Sequence, residues 1–337
     1  MLERTKQRLG GASRDVPASV HRSFGAWNTV DPNDVVTVQV CHPQWRGVRT
    51  SAYAFGDPVI ETSHLETDLA DEMRKAGVRT VIIHASPPGS KAFIRYASAL
   101  GLSVMQVIHS SMAQHGTDAG EAEAVSDALA MQAAGDLTRV GFVKIGVAEV
   151  FQHLGYQAFH VPNRTPQMPD ITTIPLGNGL NIGVFHDPYW RKNVTTQLGA
   201  AALMGGTAHV MSTPDVAYLS HMSIVEHGTL PWEHFVSLQA SVDINLYVTL
   251  AESHPMSPIE SYLTGVPCLV SRTSDLFLDD DELRELTTIA ELDDPSAIAR
   301  SGERLLASAP LATERANAWI VRQDRIAQQA WSAFTSA

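Results

Sequence analysis

Short runs of branched and aromatic residues alternate along this chain with longer amphipathic stretches. Uninterrupted apolar runs predict strands buried on both faces. Such runs fall at 34–41 (DVVTVQVC), 80–84 (TVIIH), 103–109 (SVMQVIH), 139–144, 158–161, 180–185 (LNIGVF), 208–211 and 243–250 (DINLYVTL). Weaker patterns suggest strands at 219–225 and 286–289. Between them, helical spacing predicts helices at 2–9, 63–76, 91–100, 120–135, 148–154, from 295 onward and over 311–335. Residues 42–52 (HPQWRGVRTSA) read as a loop and 164–178 as a linker. Strand and helix alternating in this way predict an α/β protein with parallel, doubly wound sheets. At 337 residues the chain suits two such domains.

The most informative stretch is 251–271, AESHPMSPIESYLTGVPCLVS. It follows a buried strand and opens on a polar turn. Ser257, Pro258 and Glu260 then spell a helix start, with Ser as N-cap, Pro at the first helical position and Glu at the third. Gly265 and Pro267 end the helix, and 268–271 begins another strand. In such a unit the loop and helix start lie at the carboxyl end of the sheet, where free backbone N–H groups favour an anion. Taken alone, Glu260 has a plainer reading, as the partner in a capping box that stabilises the helix by roughly 0.5–2 kcal/mol.

Glu252 and Glu260 stand eight positions apart, and Gly265-Val-Pro267 follows. This pattern resembles the E-x7-E signature of the retaining nucleotide-sugar glycosyltransferases of family 4, which have the GT-B fold of two Rossmann-like domains around a cleft. His254-Pro-Met256 stands where Gly-Phe-Gly is common in that family. Lys192-Asn193 matches the second half of a further motif, with Phe185-His186 in place of its usual Gly-Arg. Pro162-Asn163-Arg164 resembles the segment that closes the first domain.

The resemblance implies an amino-terminal acceptor domain at 1–165, a nucleotide-sugar domain at 166–312 and a last helix at 313–337 that crosses back to the first domain. It implies that Glu252 contacts the donor sugar and His109 lines the reacting face. Arg191, Lys192 and the amides near Met256 and Ser257 would hold the diphosphate, Glu260 the ribose, and Gly47 would let the first loop approach the phosphates. The implied reaction moves a hexose-type sugar, with retention, from a UDP- or GDP-linked donor to an acceptor hydroxyl, without a metal or bound cofactor. The acceptor is open: a small molecule, a glycan, a protein or a modified nucleic-acid base. Two other readings are an epimerase or phosphorylase on the same fold, and a non-catalytic nucleotide-sugar-binding protein with a degenerate site.

Charge narrows this picture. Residues 1–165 hold 15 Lys plus Arg against 16 Asp plus Glu, whereas the remainder holds 9 against 20. So acidic a second half needs local cations wherever it holds a diphosphate, and Arg191 and Lys192 supply two. The overall balance argues against non-specific nucleic-acid binding, leaving nucleic acid only as an acceptor. Cys41 and Cys268 are the only cysteines, which predicts no disulfide framework and fits a reducing cytoplasm. The opening MLERTKQRLGG is unlike a signal peptide, and no segment is apolar enough to span a bilayer. There is no Walker loop, no His-Glu-x-x-His and no Gly-x-Ser-x-Gly. Oligomeric state leaves no mark on the sequence.

Overall fold

The computed structural model describes residues 37–336. The expected helix at 2–9 and the first three residues of the 34–41 strand lie outside them. The first domain runs β1 (Thr37–Cys41), α1 (Arg46–Ala54), β2 (Val59–Glu61), α2 (Asp68–Lys75), β3 (Thr80–His84), α3 (Ser90–Ala99) and β4 (Ser103–Ile108). It continues through α4 (Met112–Thr117), α5 (Ala119–Ala133), β5 (Arg139–Phe142), α6 (Val147–His153) and β6 (Ala158–His160). Its strands pair in parallel in the order β2-β1-β3-β4-β5-β6. The apolar runs are buried on both faces, with Val81, Ile82 and Ile83 all fully inaccessible.

The second domain runs β7 (Asn181–Val184), α7 (Val194–Leu203), β8 (Thr207–Val210), β9 (Ile224–Glu226), α8 (Trp232–Gln239) and β10 (Ile244–Tyr247). Next come α9 (Met256–Leu263), β11 (Cys268–Ser271), α10 (Asp281–Thr287), β12 (Thr288–Ile289) and α11 (Pro295–Ala307). This sheet is also parallel, ordered β12-β11-β10-β7-β8-β9. β7 and β10 lie side by side, and Gly183 keeps their contact close: a Cβ there would lie 2.0 Å from Asn245 Oδ1.

Three expectations are corrected. Residues 42–52 are not a loop, because α1 begins at Arg46 after a tight turn in which the Gln44 amide donates to His42 Nδ1 at 3.2 Å. The 219–225 strand is a 3-10 turn (Ala217–His221) followed by β9, since its polar residues face solvent. At 286–289 only Thr288 and Ile289 are strand; an Asp280 side chain accepting from the Leu283 amide starts a helix that runs through the first half.

The last helix, α12 (Ala309–Thr335), starts four residues earlier than the expected boundary at 313. It spans both domains. Trp319 and Ile320 pack in the second domain beside Tyr262 and Phe277. Trp331 and Phe334 pack in the first, against Phe55, Ile82 and Met105. The Trp331 ring stacks on Phe55 with centroids 3.9 Å apart, and its Nε1 donates to Asp57 Oδ2 at 3.1 Å. Trp331→Ala is expected to cost about 3–5 kcal/mol, read as a lower urea midpoint. Trp331→Phe keeps the stack but leaves Asp57 without its donor, and should cost about 1–3 kcal/mol. Ile326, on the same helix, is 47% exposed. No helix among the described residues is long and apolar enough to cross a membrane.

Candidate functional site

Where strand order reverses in a parallel sheet, the loops at the carboxyl ends splay to opposite faces and leave a crevice. In the second sheet the reversal falls between β7 and β10, and in the first between β1 and β3. The loops after these strands line one cleft of about 1730 Å³ between the domains.

On the second-domain wall, a 3-10 turn (Trp190–Lys192) carries two cations into the crevice before α7 starts. Lys192 Nζ donates to Glu252 Oε2 at 2.5 Å and to the Tyr247 hydroxyl at 3.1 Å. The Tyr247 hydroxyl donates to the same Glu252 oxygen at 3.0 Å. Neither cation is an exposed surface residue, for the Arg191 and Lys192 side chains are only 18% and 13% exposed. Burial by itself would raise the Glu252 carboxyl, but the Lys192 and Arg191 charges and the bonds from Lys192 and Tyr247 override it and bring it to about 2. Burial lowers the Lys192 ammonium, with Glu252 opposing.

The cluster holds two cations and one anion, so it is positive within the acidic half of the chain. Arg191 Nη1 lies 3.6 Å from Glu252 Oε2, is buried and has no hydrogen-bond partner. His186, directly after β7 and edge-on to Tyr247, is held neutral: burial and then the Lys192 charge lower it to about 3. It bonds the Leu246 backbone, and its Nε2 is buried without a partner.

The next turn leads into α9. The helix starts at Met256, so Ser257 is not its N-cap and Glu260 is not its third residue; Pro255 precedes the helix and no side chain caps it. Pro258 is tolerated anywhere in a first turn, because no N–H there has a partner within the helix. Gly265 does end the helix, at φ 86°. With the capping box gone, Glu260 has a different environment. It is 3% exposed, and its Oε1 accepts from Trp232 Nε1 at 2.9 Å. Burial raises its carboxyl, while the Trp232 bond and the Arg46 charge oppose. Its Oε2 carries no hydrogen bond yet is not sealed from solvent. Met256, Ser257 and Trp232 line the cleft.

On the first-domain wall stands His109, just past β4. Burial lowers its imidazole to about 4, so it is neutral. Gly47 lines the cleft too, but from within the first turn of α1 and not from a phosphate-approaching loop. A Cβ at Gly47 would meet nothing within 4 Å, so crowding by the protein does not require glycine there. The neighbouring Arg46 guanidinium reaches across the cleft to lie 4.0 Å over the Phe235 ring.

Asn163 also joins the walls, accepting from Ser51 Oγ of α1 and donating to the His254 carbonyl, both at 2.6 Å. Lys144 forms a further bridge, to Asp275. Sequence reasoning missed Tyr247, Trp232, His186 and Asp275; Tyr247 bonds distant Lys192 as well as nearby Glu252, and the side-chain partners of the other three are distant in the chain.

No protein-family model matches the chain, and no curated protein matches it. Solved structures do. An apo structure of OtsA superposes with a TM-score of 0.62 at 10% identity, covering 90% of this chain and 99% of that one. Trehalose-6-phosphate synthase from E. coli, bound with UDP-2-fluoro glucose, gives 0.55 at 12% identity, covering 80% and 75%. The UDP-forming trehalose-phosphate synthase of Burkholderia xenovorans, in complex with glucose-6-phosphate, gives 0.56 at 10%, covering 80% and 76%. The fold is GT-B. Two Rossmann-like domains face each other across a cleft, and in this GT-B chain the Arg191, Lys192 and Glu252 cluster lies at the switch point of the second one.

Proposed function

We propose that the chain is a glycosyltransferase that moves a hexose-type sugar from a nucleoside-diphosphate donor to an acceptor hydroxyl, with retention at the anomeric carbon. The observation that carries this reading is the pair of cationic side chains, Arg191 and Lys192, that line the cleft at the second sheet's switch point. Glu252 is ion-paired with both, at 3.6 Å from Arg191 and 2.5 Å from Lys192, and a diphosphate supplies the second anion that two cations can hold. A diphosphate placed there meets both cations and the first amides of α9, at Met256 and Ser257.

As the glycosidic bond breaks, charge builds on the leaving diphosphate, and fixed cations aimed at it stabilise that state more than the ground state. Glu252, kept ionised, accepts from hydroxyls of the donor sugar. Glu260 takes the ribose hydroxyls on Oε2 while Trp232 fixes its other oxygen. His109 borders the reacting carbon from the opposite wall. The leaving phosphate itself takes the acceptor proton, so the reaction needs no enzymic nucleophile.

The E. coli enzyme bound with UDP-2-fluoro glucose makes UDP-glucose the first donor to try, with GDP-linked sugars next. The test is calorimetry with UDP, GDP, ADP and dTDP on the wild type and on Glu260→Gln. One nucleotide should bind, and the variant should bind it roughly 10- to 100-fold more weakly, as expected for one lost charge-assisted bond of about 1.5–3 kcal/mol. Gln can still accept from Trp232, so the thermal midpoint should hold. Failure of all four to bind the wild type would overturn the donor site. Binding with no turnover on any acceptor would favour a non-catalytic nucleotide-sugar-binding protein, and turnover without acceptor an epimerase.

A further inference from the structure

A line of buried polar side chains crosses the first sheet beneath His109. Gln39 in β1 and His84 at the end of β3 are both fully inaccessible, which is unusual for side chains with this many polar atoms. The strands β1, β3 and β4 are successive neighbours, so Gln39, His84 and His109 stand in a row that ends at the cleft. His84 Nε2 lies 2.7 Å from Gln39 Oε1, and His84 Nδ1 lies 3.1 Å from His109 Nε2.

The surroundings fix this geometry. The His84 ring stacks beside Trp331 of α12, with centroids 6.2 Å apart, and also lies near Phe55. The following residue, Ala85, has φ 58°, a left-handed conformation that a non-glycine residue adopts only when its surroundings enforce it. Here Gln106 enforces it, donating from Nε2 to the Ala85 carbonyl at 2.7 Å, while the Ala85 amide donates to the Val107 carbonyl at 2.8 Å.

The chemistry of the row dictates where its protons sit. Gln39 faces the ring with Oε1, an orientation that leaves its Nε2 buried without a partner; an amide oxygen only accepts, so in this orientation His84 Nε2 carries a hydrogen. A neutral imidazole has one N–H, so His84 Nδ1 is bare and accepts from His109 Nε2. His109 Nδ1 is then bare as well. That atom has no partner in the protein and is not sealed from the cleft.

We propose that Gln39 and His84 are positioning residues that hold His109 in the Nε2–H tautomer, so that it presents Nδ1 to the cleft as a hydrogen-bond acceptor for a substrate hydroxyl. The tautomer assignment stands on this geometry alone, and its use rests on the glycosyltransferase reading. A hydroxyl held on Nδ1 has its oxygen lone pairs directed away from the protein wall and toward the opposite side of the cleft. An imidazole in the other tautomer would donate to that oxygen instead.

The experiment is long-range proton–nitrogen correlation NMR on the full chain labelled with 15N-histidine, with His109→Gln used to assign the resonance among the 14 histidines. In the wild type, His109 should show its proton on Nε2 and a bare Nδ1. Gln39→Met is close in shape and removes the acceptor, so both rings should switch and His109 should carry its proton on Nδ1. Gln39→Glu keeps an acceptor oxygen and should restore the wild-type pattern.

Sugar transfer should fall at least tenfold in Gln39→Met and recover in Gln39→Glu, with nucleotide affinity unchanged in both, because Gln39 touches no part of the donor site. A wild-type proton on His109 Nδ1 would overturn the proposal without any variant, as would an unchanged His109 tautomer or undiminished transfer in folded Gln39→Met. If the wild type binds no nucleotide and transfers no sugar, the function falls, and the tautomer remains decided by the spectra.

Discussion

Replacing Lys192 by Ala should lower sugar transfer by roughly 10²–10³-fold, the usual consequence of removing one fixed charge-stabilising donor from an active site. The backbone around it should survive the change. The Lys192 amide donates to the Tyr189 carbonyl at 2.9 Å, and its own carbonyl accepts from Gln197 Nε2 at 2.8 Å. Both bonds are independent of the side chain, so the 3-10 turn keeps its path into α7. Glu252 keeps Tyr247 at 3.0 Å and the Arg191 guanidinium at 3.6 Å.

The loss should therefore fall mainly on turnover and on diphosphate affinity. Single-turnover transfer beside calorimetric nucleotide binding measures both. A Lys192→Ala protein that transfers sugar within threefold of the wild type would remove the ammonium from the mechanism. Lys192→Arg should recover little, since the planar fork does not fit a point-charge contact that reaches Glu252 and Tyr247 together.

Glu252→Gln should produce the largest stability change at the site, and one that depends on pH. The folded carboxyl titrates at about 2, below its ordinary 4.5. Its charge therefore stabilises the fold fully above pH 4.5, and that contribution is lost as pH falls toward 2. Gln has no such dependence. Near neutral pH the variant should be less stable by about 3 kcal/mol, because Lys192 and Arg191 are left buried without their counter-charge. The gap between the two urea curves should close as the pH is lowered through the same window. A gap that stays constant with pH would mean that the cluster is not ionised as described.

Ligand binding separates this variant from Lys192→Ala. Removing the anion leaves a more positive crevice, so free diphosphate should bind Glu252→Gln at least as tightly as the wild type. Sugar transfer should still fall tenfold or more, because the acceptor for the donor hydroxyls is gone.

The parts legible in the sequence were those fixed by local physics. β3 and β10 are runs read as strands buried on both faces; β3 forms over the expected 80–84, and β10 forms within the expected 243–250 as the shorter Ile244–Tyr247. Pro295 behind Asp294 marked the start of α11, where the Asp294 side chain accepts from the Ser296 and Ala297 amides. Glu252 and Lys192 were identified by their resemblance to the family-4 motifs. α1 was missed because it buries only Ser51 and Ala52, leaving no apolar stripe to read. The start of α9 was misplaced because Ser-Pro fits the second and third helical positions as well as the cap.

The sequence by itself determined two parallel sheets, most of their strands though not β2, and the loops that must lie at the carboxyl ends. Each of these follows from hydrophobic period and turn chemistry within a few residues. Only the tertiary structure decided which polar groups those loops bring together. Lys192 meets Glu252 across 60 positions of chain, and Trp331 meets Asp57 across 274. His84 reaches Gln39 and His109 because strand order makes β1, β3 and β4 neighbours. Burial then gives those contacts their strength, since a charge or imidazole removed from water has its protonation set by what it touches. That information resides in the packing of distant segments, and no local window of the sequence carries it.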